Sequence, residues 1–286
     1  MQAIEVTEKP SLAATFFRAL GTGAKRPGQV DTLPPVKLAL PRVQLNAQHM
    51  GQYAALCGFH IGQGVPLIYP QLLTFPLVTA YMCSDDCPWP AMGTVHLANT
   101  IEQHHPLFAD DVVRVEMGTG SLFAHEKGQG FTLDLRILRG DELVWSATQS
   151  LLRVGVQETS GAPYCGQIQL DEPLSCQTEF SAPADIGRRY GSISGDRNPI
   201  HMAALSARLF GFKRAIAHGM WTQARALSCL LPAQPLQAAS LHAEFKTPLY
   251  LPGRATLWSA RSGTGALFEV RDAKGAKPHL RGELRY

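Results

Sequence analysis

The stretch that decides the reading is Tyr190-Gly-Ser-Ile-Ser194-Gly195-Asp196-Arg-Asn198-Pro199-Ile-His201, continuing through Gly211-Phe212 to Ile216-Ala-His218-Gly219-Met220. Asn198-Pro199 is a helix start, because Asn is a favoured N-cap and Pro is tolerated where no backbone donor is needed. His201 then falls in the first turn, and Asp196 lies two residues before the cap on a Ser-Gly loop. A short turn brings the carboxylate and the imidazole to one side of a pocket. The helix from Pro199 is expected to run to about Phe210, with Gly211 as a left-handed C-cap. A second helix opens at His218-Gly219-Met220. Met220, Ala224, Leu227 and Leu231 recur there at helical spacing, an apolar stripe to set against a sheet. Gly219 therefore stands at a helix N-terminus, where free backbone donors and the positive dipole end suit a developing negative charge.

A carboxylate and an imidazole, with ordinary pKa values of about 4 and about 6.5, can orient one water and move its protons near neutral pH. With an oxyanion donor beside them, they form the equipment for adding water across a double bond conjugated to a carbonyl. The bland reading is a capping cluster in which Asp196 and His201 only satisfy loop amides. His218 is expected to shape the turn before its helix rather than to act as acid or base. Arg188, Arg189, Lys213 and Arg214 could meet the phosphates of a cofactor, although exposed cations beside a loop are more often simply solvated.

Working outward, the chain repeats itself. Tyr53-Ala-Ala-Leu-Cys-Gly58-Phe59 lies opposite Tyr190-Gly-Ser-Ile-Ser-Gly195-Asp196, and Pro106-Leu107 lies opposite Pro248-Leu249 at a nearly equal spacing. Two such markers indicate duplication of one unit. Strand patterns dominate both copies: Asp111 to Met117, Gln129 to Leu138 and Leu143 to Val154, then Leu241 to Lys246, Arg254 to Ala260 and Ala266 to Arg271. Each unit is thus expected to be α+β, an antiparallel sheet wrapped on a helix. A Gly/Pro-rich linker over residues 21–35 follows an amphipathic helix that starts at Ser11, and a polar stretch from Gln157 to Gln177 marks the boundary between the two copies.

Composition narrows the classes further. The 286 residues are 45% hydrophobic and 17% charged, which fits a packed globular protein of one large or two ordinary domains. The net charge of +3 comes with no run of Lys/Arg, so nucleic acid is not an expected partner. The longest apolar stretches contain Thr, Pro, Gln or Arg and are too short for a membrane span. The acidic N-terminal segment is not a secretory signal, so the cytoplasm is the expected compartment. Six cysteines make no disulfide framework, and Cys83 and Cys87 lack a second ligand pair for zinc. Gly21-Thr-Gly23 lacks a GK[ST] ending, and Ser194 is not in a G-x-S-x-G elbow. His96, His104 and His105 have no Asp, Glu or Cys at metal spacing and read as ordinary strand histidines. No metal and no separate cofactor are therefore expected.

The string from Tyr190 to Met220, with Phe245-Lys246-x-Pro248-Leu249-x-x-Pro252-Gly253 after it, closely resembles the MaoC-like hydratases and dehydratases, including R-specific enoyl-CoA hydratases. The resemblance implies a double hotdog: a degenerate first unit over residues 36–160 and a catalytic one over 175–286, packed as an intrachain pseudo-dimer. A homodimer of such pseudo-dimers is compatible with it. It implies that Asp196 and His201 activate water and that the Gly219 amide binds the thioester oxygen. Asn198, Ser194 and His218 are expected to complete the substrate-binding loop. The substrate would be an acyl thioester of coenzyme A or of an acyl carrier protein. The first unit has Phe59 where the second has Asp196, and no Asn-Pro-x-x-His follows, so it cannot do the same chemistry. Its string from Val65 to Pro76 is expected to line an acyl tunnel. The family also carries a hydroxyl on the central helix, and Ser228 meets that position only with a register shift. Two other functions are compatible with the fold: a thioesterase, and a non-catalytic acyl-thioester binding subunit.

Overall fold

In Phe131-Thr-Leu-Asp-Leu-Arg-Ile137 every second side chain is apolar, and Phe131, Leu133, Leu135 and Ile137 are fully buried. That period of two, repeated along the chain, makes a sheet with one covered face. The computed structural model describes residues 3–6, 18–19, 21–25, 28–60, 64–157 and 159–286, apart from the side chain of Ser262. Residues 11–17, where the N-terminal amphipathic helix was expected, lie outside them.

A short strand β1 (Ile4–Glu5) runs parallel to β2 (Lys37–Gln44). The first unit continues with α1 (Ala47–Cys57), α2 (Pro70–Met82), β3 (Thr94–Gln103), β4 (Val112–His125), β5 (Gly128–Arg139) and β6 (Glu142–Val154). After a linker that includes β7 (Ala162–Pro163), the second unit follows the same order. It has β8 (Ser175–Ala182), α3 (Ile186–Ser194), α4 (Pro199–Met202), α5 (Ala204–Arg208), α6 (Gly219–Leu230), β9 (Ala239–Phe245), β10 (Gly253–Ser262), β11 (Gly265–Asp272) and β12 (Pro278–Arg285). Within the sheet the first unit is ordered β2-β4-β5-β6-β3 and the second β8-β10-β11-β12-β9. Antiparallel pairing of β3 with β9, from Ala98↔Glu244 to Gln103↔Ala239, joins them into one continuous sheet.

The two units also meet through their helical layers. The Tyr53 and Tyr190 rings lie 6.2 Å apart. His49 of α1 bonds through Nε2 to the Ile193 carbonyl at 2.9 Å, and Arg225 of α6 donates to the Cys57 carbonyl at 2.9 Å. The linker is pinned across the outer face by the Gln167 amide, which donates to buried Glu244 of β9 at 2.7 Å. None of the six cysteines forms a disulfide.

One expected element is corrected. The helix from Pro199 does not run unbroken to Phe210, because Ala203 is extended at φ −155° and ψ 157° and divides α4 from α5. The carbonyls that would continue the helix are spent elsewhere. That of Pro199 accepts from the Ser206 hydroxyl at 2.7 Å, and that of Ile200 from the Ile216 amide at 3.1 Å. Gly211 does take the left-handed conformation, at φ +84°.

Candidate active site

Glycines let the second unit fold its loop tightly. Gly195 ends α3 at φ +82°, a conformation that side chains with a Cβ rarely adopt, and turns the chain into the Asp196 loop. At Gly187 a Cβ would stand 2.0 Å from the His201 carbonyl oxygen, so only glycine lets α3 lie this close to α4. The loop is then fixed by short-range hydrogen bonds. The Asp196 amide donates to Ser194 Oγ at 3.2 Å, the Asn198 amide to Asp196 Oδ1 at 3.0 Å, and the Ile200 amide to Asn198 Oδ1 at 3.4 Å. Ser194 and Asn198 thus spend their side-chain oxygens on the loop itself, and Asn198 caps α4.

His201 is buried, and its Nδ1 lies 2.8 Å from the Ile216 carbonyl. A carbonyl only accepts, so Nδ1 carries the hydrogen and Nε2 of the neutral ring is left as a lone-pair base. His218 stands at the N-cap of α6 but makes no side-chain cap. Its ring stacks on His201 with centroids 3.7 Å apart, and Nε2 lies 3.0 Å from the Asp196 main-chain carbonyl and 3.7 Å from Oδ2. The side chain is therefore part of the cluster, more than a shaper of its own turn. The Gly219 backbone opens α6 directly behind it, and Phe245 closes on that glycine so tightly that a Cβ would meet the ring at 2.7 Å.

The electrostatics separate the acid from the bases. Burial pulls His201 below its ordinary pKa, against the pull of Asp196 and the Ile216 carbonyl. Burial, helped by His201, holds His218 down to about 3. Burial would push Asp196 up, but His218, His201, the Asn198 amide and His96 together outweigh it and hold the carboxyl below its ordinary value. At neutral pH the site is one carboxylate, about a third exposed, beside two neutral imidazoles. Donor atoms of Asp196, His201 and His218 lie within 4.8 Å of one another, so the residue types could hold a metal ion. His201 spends Nδ1 on Ile216, and His218 spends Nε2 on the Asp196 carbonyl. One ring nitrogen of each histidine, Nε2 of His201 and Nδ1 of His218, is still able to accept beside the Asp196 carboxylate.

The remaining candidates fall elsewhere. Ser228 is buried on α6 and bonds to Arg225, its Oγ donating to the Arg225 carbonyl at 2.9 Å. The hydroxyl at the start of that helix is Thr222, whose Oγ1 donates to the His218 carbonyl at 3.2 Å. Arg188 and Arg214 donate to the main-chain carbonyls of Met202 and Pro252 at 3.2 and 3.5 Å. Val65 and Leu67 of the first unit line a small recess with Phe59, Leu107 and, from the second unit, Leu231. One residue not expected here is His96 of β3, whose ring lies 4.8 Å from that of Phe245 and couples electrostatically to Asp196. Nothing in its sequence neighbourhood marks it, because it reaches the site only through the β3–β9 junction.

The fold is of the hotdog type, with a carboxylate–imidazole cluster at a helix N-terminus. The MaoC like domain matches residues 167–279. The chain is 31% identical over 278 residues to 3-hydroxyacyl-thioester dehydratase X of Mycobacterium tuberculosis, covering 97% of this chain and 99% of that protein. A crystal structure of HtdX from M. tuberculosis superimposes with a TM-score of 0.75 at 30% identity, over 87% of this chain and 99% of that one. A second M. tuberculosis protein, described as having a double hotdog fold, superimposes with a TM-score of 0.53 at 12% identity, over 90% and 94% of the two chains, a likeness of fold alone. The chain belongs to the MaoC-like dehydratase family, has the α+β double hotdog fold and is a hydro-lyase. Among the described residues, no helix is long and apolar enough to cross a membrane.

Proposed function

We propose that the chain interconverts trans-2-enoyl and (R)-3-hydroxyacyl thioesters of coenzyme A, with one active site per chain in the second unit. The observation that carries this reading is the grouping of Asp196, His201 and His218 at the N-terminus of α6. In the hydration direction, the reacting water sits between the Asp196 carboxylate and Nε2 of His201. His201 takes a proton as the water oxygen bonds to C3. The electron pair moves through C2 to the thioester oxygen, where the Gly219 amide and the dipole of α6 meet the enolate charge. A proton then returns to C2, so that one water has been added in all. Dehydration is the reverse. Ser194 and Asn198 hold the Asp196 loop, and His218 holds it from the other side through the Asp196 carbonyl. The similarity to 3-hydroxyacyl-thioester dehydratase X over nearly the full length supports the thioester part of this reading.

The test is direct. Purified chain mixed with a short and a long trans-2-enoyl-CoA should consume the enoyl absorbance with at least one of them, and chiral analysis should return the R product. Loss of neither absorbance by folded protein sinks the proposal, and release of free thiol in place of hydration would turn it into a thioesterase.

A further inference from the structure

At its first residues β3 runs past the end of β9, and its pairing with β6 slips between His96 and Ala98. The bulge sets His96 opposite Leu151, in the same series as Asn99 opposite Gln149 and Ile101 opposite Ala147. His96 therefore faces the helical layer, as buried Asn99 and Ile101 do. Its ring lies against Phe245, and Phe245 is the ring that closes on Gly219. A residue of the first unit thus stands beside the oxyanion end of the second unit's site.

The Ala98 backbone meets the ring in a hydrogen bond that favours its protonated form, so the bonded nitrogen carries the hydrogen and donates. Nε2 is buried and has no hydrogen-bond partner among the described residues. Burial holds the ring neutral, with its pKa lowered to about 4. In a neutral ring whose other nitrogen donates, Nε2 is purely an acceptor, and a buried acceptor left unpaired is costly. A bound ligand can remove that cost. A thioester on a pantetheine arm has two donors near its carbonyl: the hydroxyl or water at C3, and the amide N–H of the arm beyond the sulfur. In the mechanism proposed above, Asp196 and His201 already occupy the first.

Resting on that mechanism, we infer that His96 accepts a hydrogen bond from the amide N–H of the carrier arm, so that the first unit selects pantetheine-type thioesters for the second unit's chemistry. The experiment compares the crotonyl thioester of N-acetylcysteamine, which has the amide, with the S-propyl thioester, which lacks it. Wild type should favour the first. His96→Phe should lose about tenfold in kcat/KM on the amide-bearing thioester, through KM, and almost nothing on the other. His96→Gln, which retains an acceptor, should recover part of the loss, with thermal melts reporting that both variants fold. Equal losses on both thioesters, no loss on either, or a displaced acid limb of the pH profile would overturn the inference while leaving the hydratase reading intact. Turnover of neither thioester by the wild type would overturn that reading and this inference with it.

Discussion

At Gly195 the chain leaves α3 with φ +82° and presents Asp196, and at Gly58 it leaves α1 with φ +81° and presents Phe59. The two turns are backbone copies, each anchored by a buried tyrosine, Tyr190 and Tyr53, five residues before the glycine. Their surroundings differ completely. Asp196 enters a loop of successive hydrogen bonds and two imidazoles, whereas Phe59 is buried and stacks against Tyr53 with centroids 6.3 Å apart. The long helices diverge in the same way. α6 opens on Gly219, which carries an amide hydrogen, while α2 opens on Pro70, which has none to give. The first unit has thus lost both the carboxylate and the donor that would face it, and has kept the sheet and the turn that build the second.

The comparison breaks most forcefully if the missing carboxylate is restored. Phe59→Asp should create no second site, since no Asn-Pro-x-x-His follows it and α2 opens on Pro70. It should instead destabilise the chain by about 3–5 kcal/mol, measured by denaturant unfolding, because a buried ring is lost and a charge is left unpaired. A gain in turnover would show the first unit to be latent instead of degenerate. In the second unit the converse change, Asp196→Asn, should lower kcat by at least about a hundredfold with the melting temperature nearly unchanged, and His201→Ala should do the same. Activity retained in both would make the cluster a cap.

Smaller effects sharpen the division between reacting and positioning groups. His218→Phe retains a ring to stack on His201 but loses the bond to the Asp196 carbonyl, so kcat should fall by about tenfold, less than for either reacting residue. A loss as large as that of His201→Ala would make His218 a reacting group. The smallest effect concerns pH. His96, His201 and His218 all titrate below the ordinary imidazole value in the folded chain, at about 4 for His96 and about 3 for His218. Between those values and about 6.5 the unfolded chain binds more protons, so stability is lost as pH falls through that window. Asp196, held low, keeps its contribution until the pH falls through its own native value. Calorimetric melting temperatures should drop on acidification from neutral pH to about 5, and His218→Phe should flatten the decline by one titrating group. The acid limb of the activity profile should likewise lie below the ordinary range of a histidine, because His201 must be neutral to act as a base.

Much of this was legible in the chain because local rules govern it. The strands β4, β5, β6, β9, β10 and β11 carry period-two apolar patterns; most bounds move by a residue or two, whereas β4 runs on well past Met117 to His125. Strand β8 was not legible, since its Ser-Cys-Gln-Thr-Glu-Phe is an edge with most of its side chains exposed. Nor was β12, whose Arg281, Glu283 and Arg285 alternate with buried Leu280, Gly282 and Leu284 across a run too charged to stand out. The break at Ala203 escaped for a similar reason: the competing partners for the Pro199 and Ile200 carbonyls, Ser206 and Ile216, are set by tertiary folding.

The sequence by itself determined the two turns, the Asn198-Pro199 helix start and the placing of Gly219 at the head of α6, because caps, left-handed glycines and helical periodicity are decided within a few residues. It also determined that Phe59 replaces Asp196. Tertiary structure alone decided that the side chain of His218, at the N-cap of α6, would stack on His201. It also decided that His96, about a hundred residues earlier, would arrive beside Phe245 through the β3–β9 pairing. Those contacts depend on register across the sheet and on burial of neutral rings, and neither is written in any short stretch of the chain.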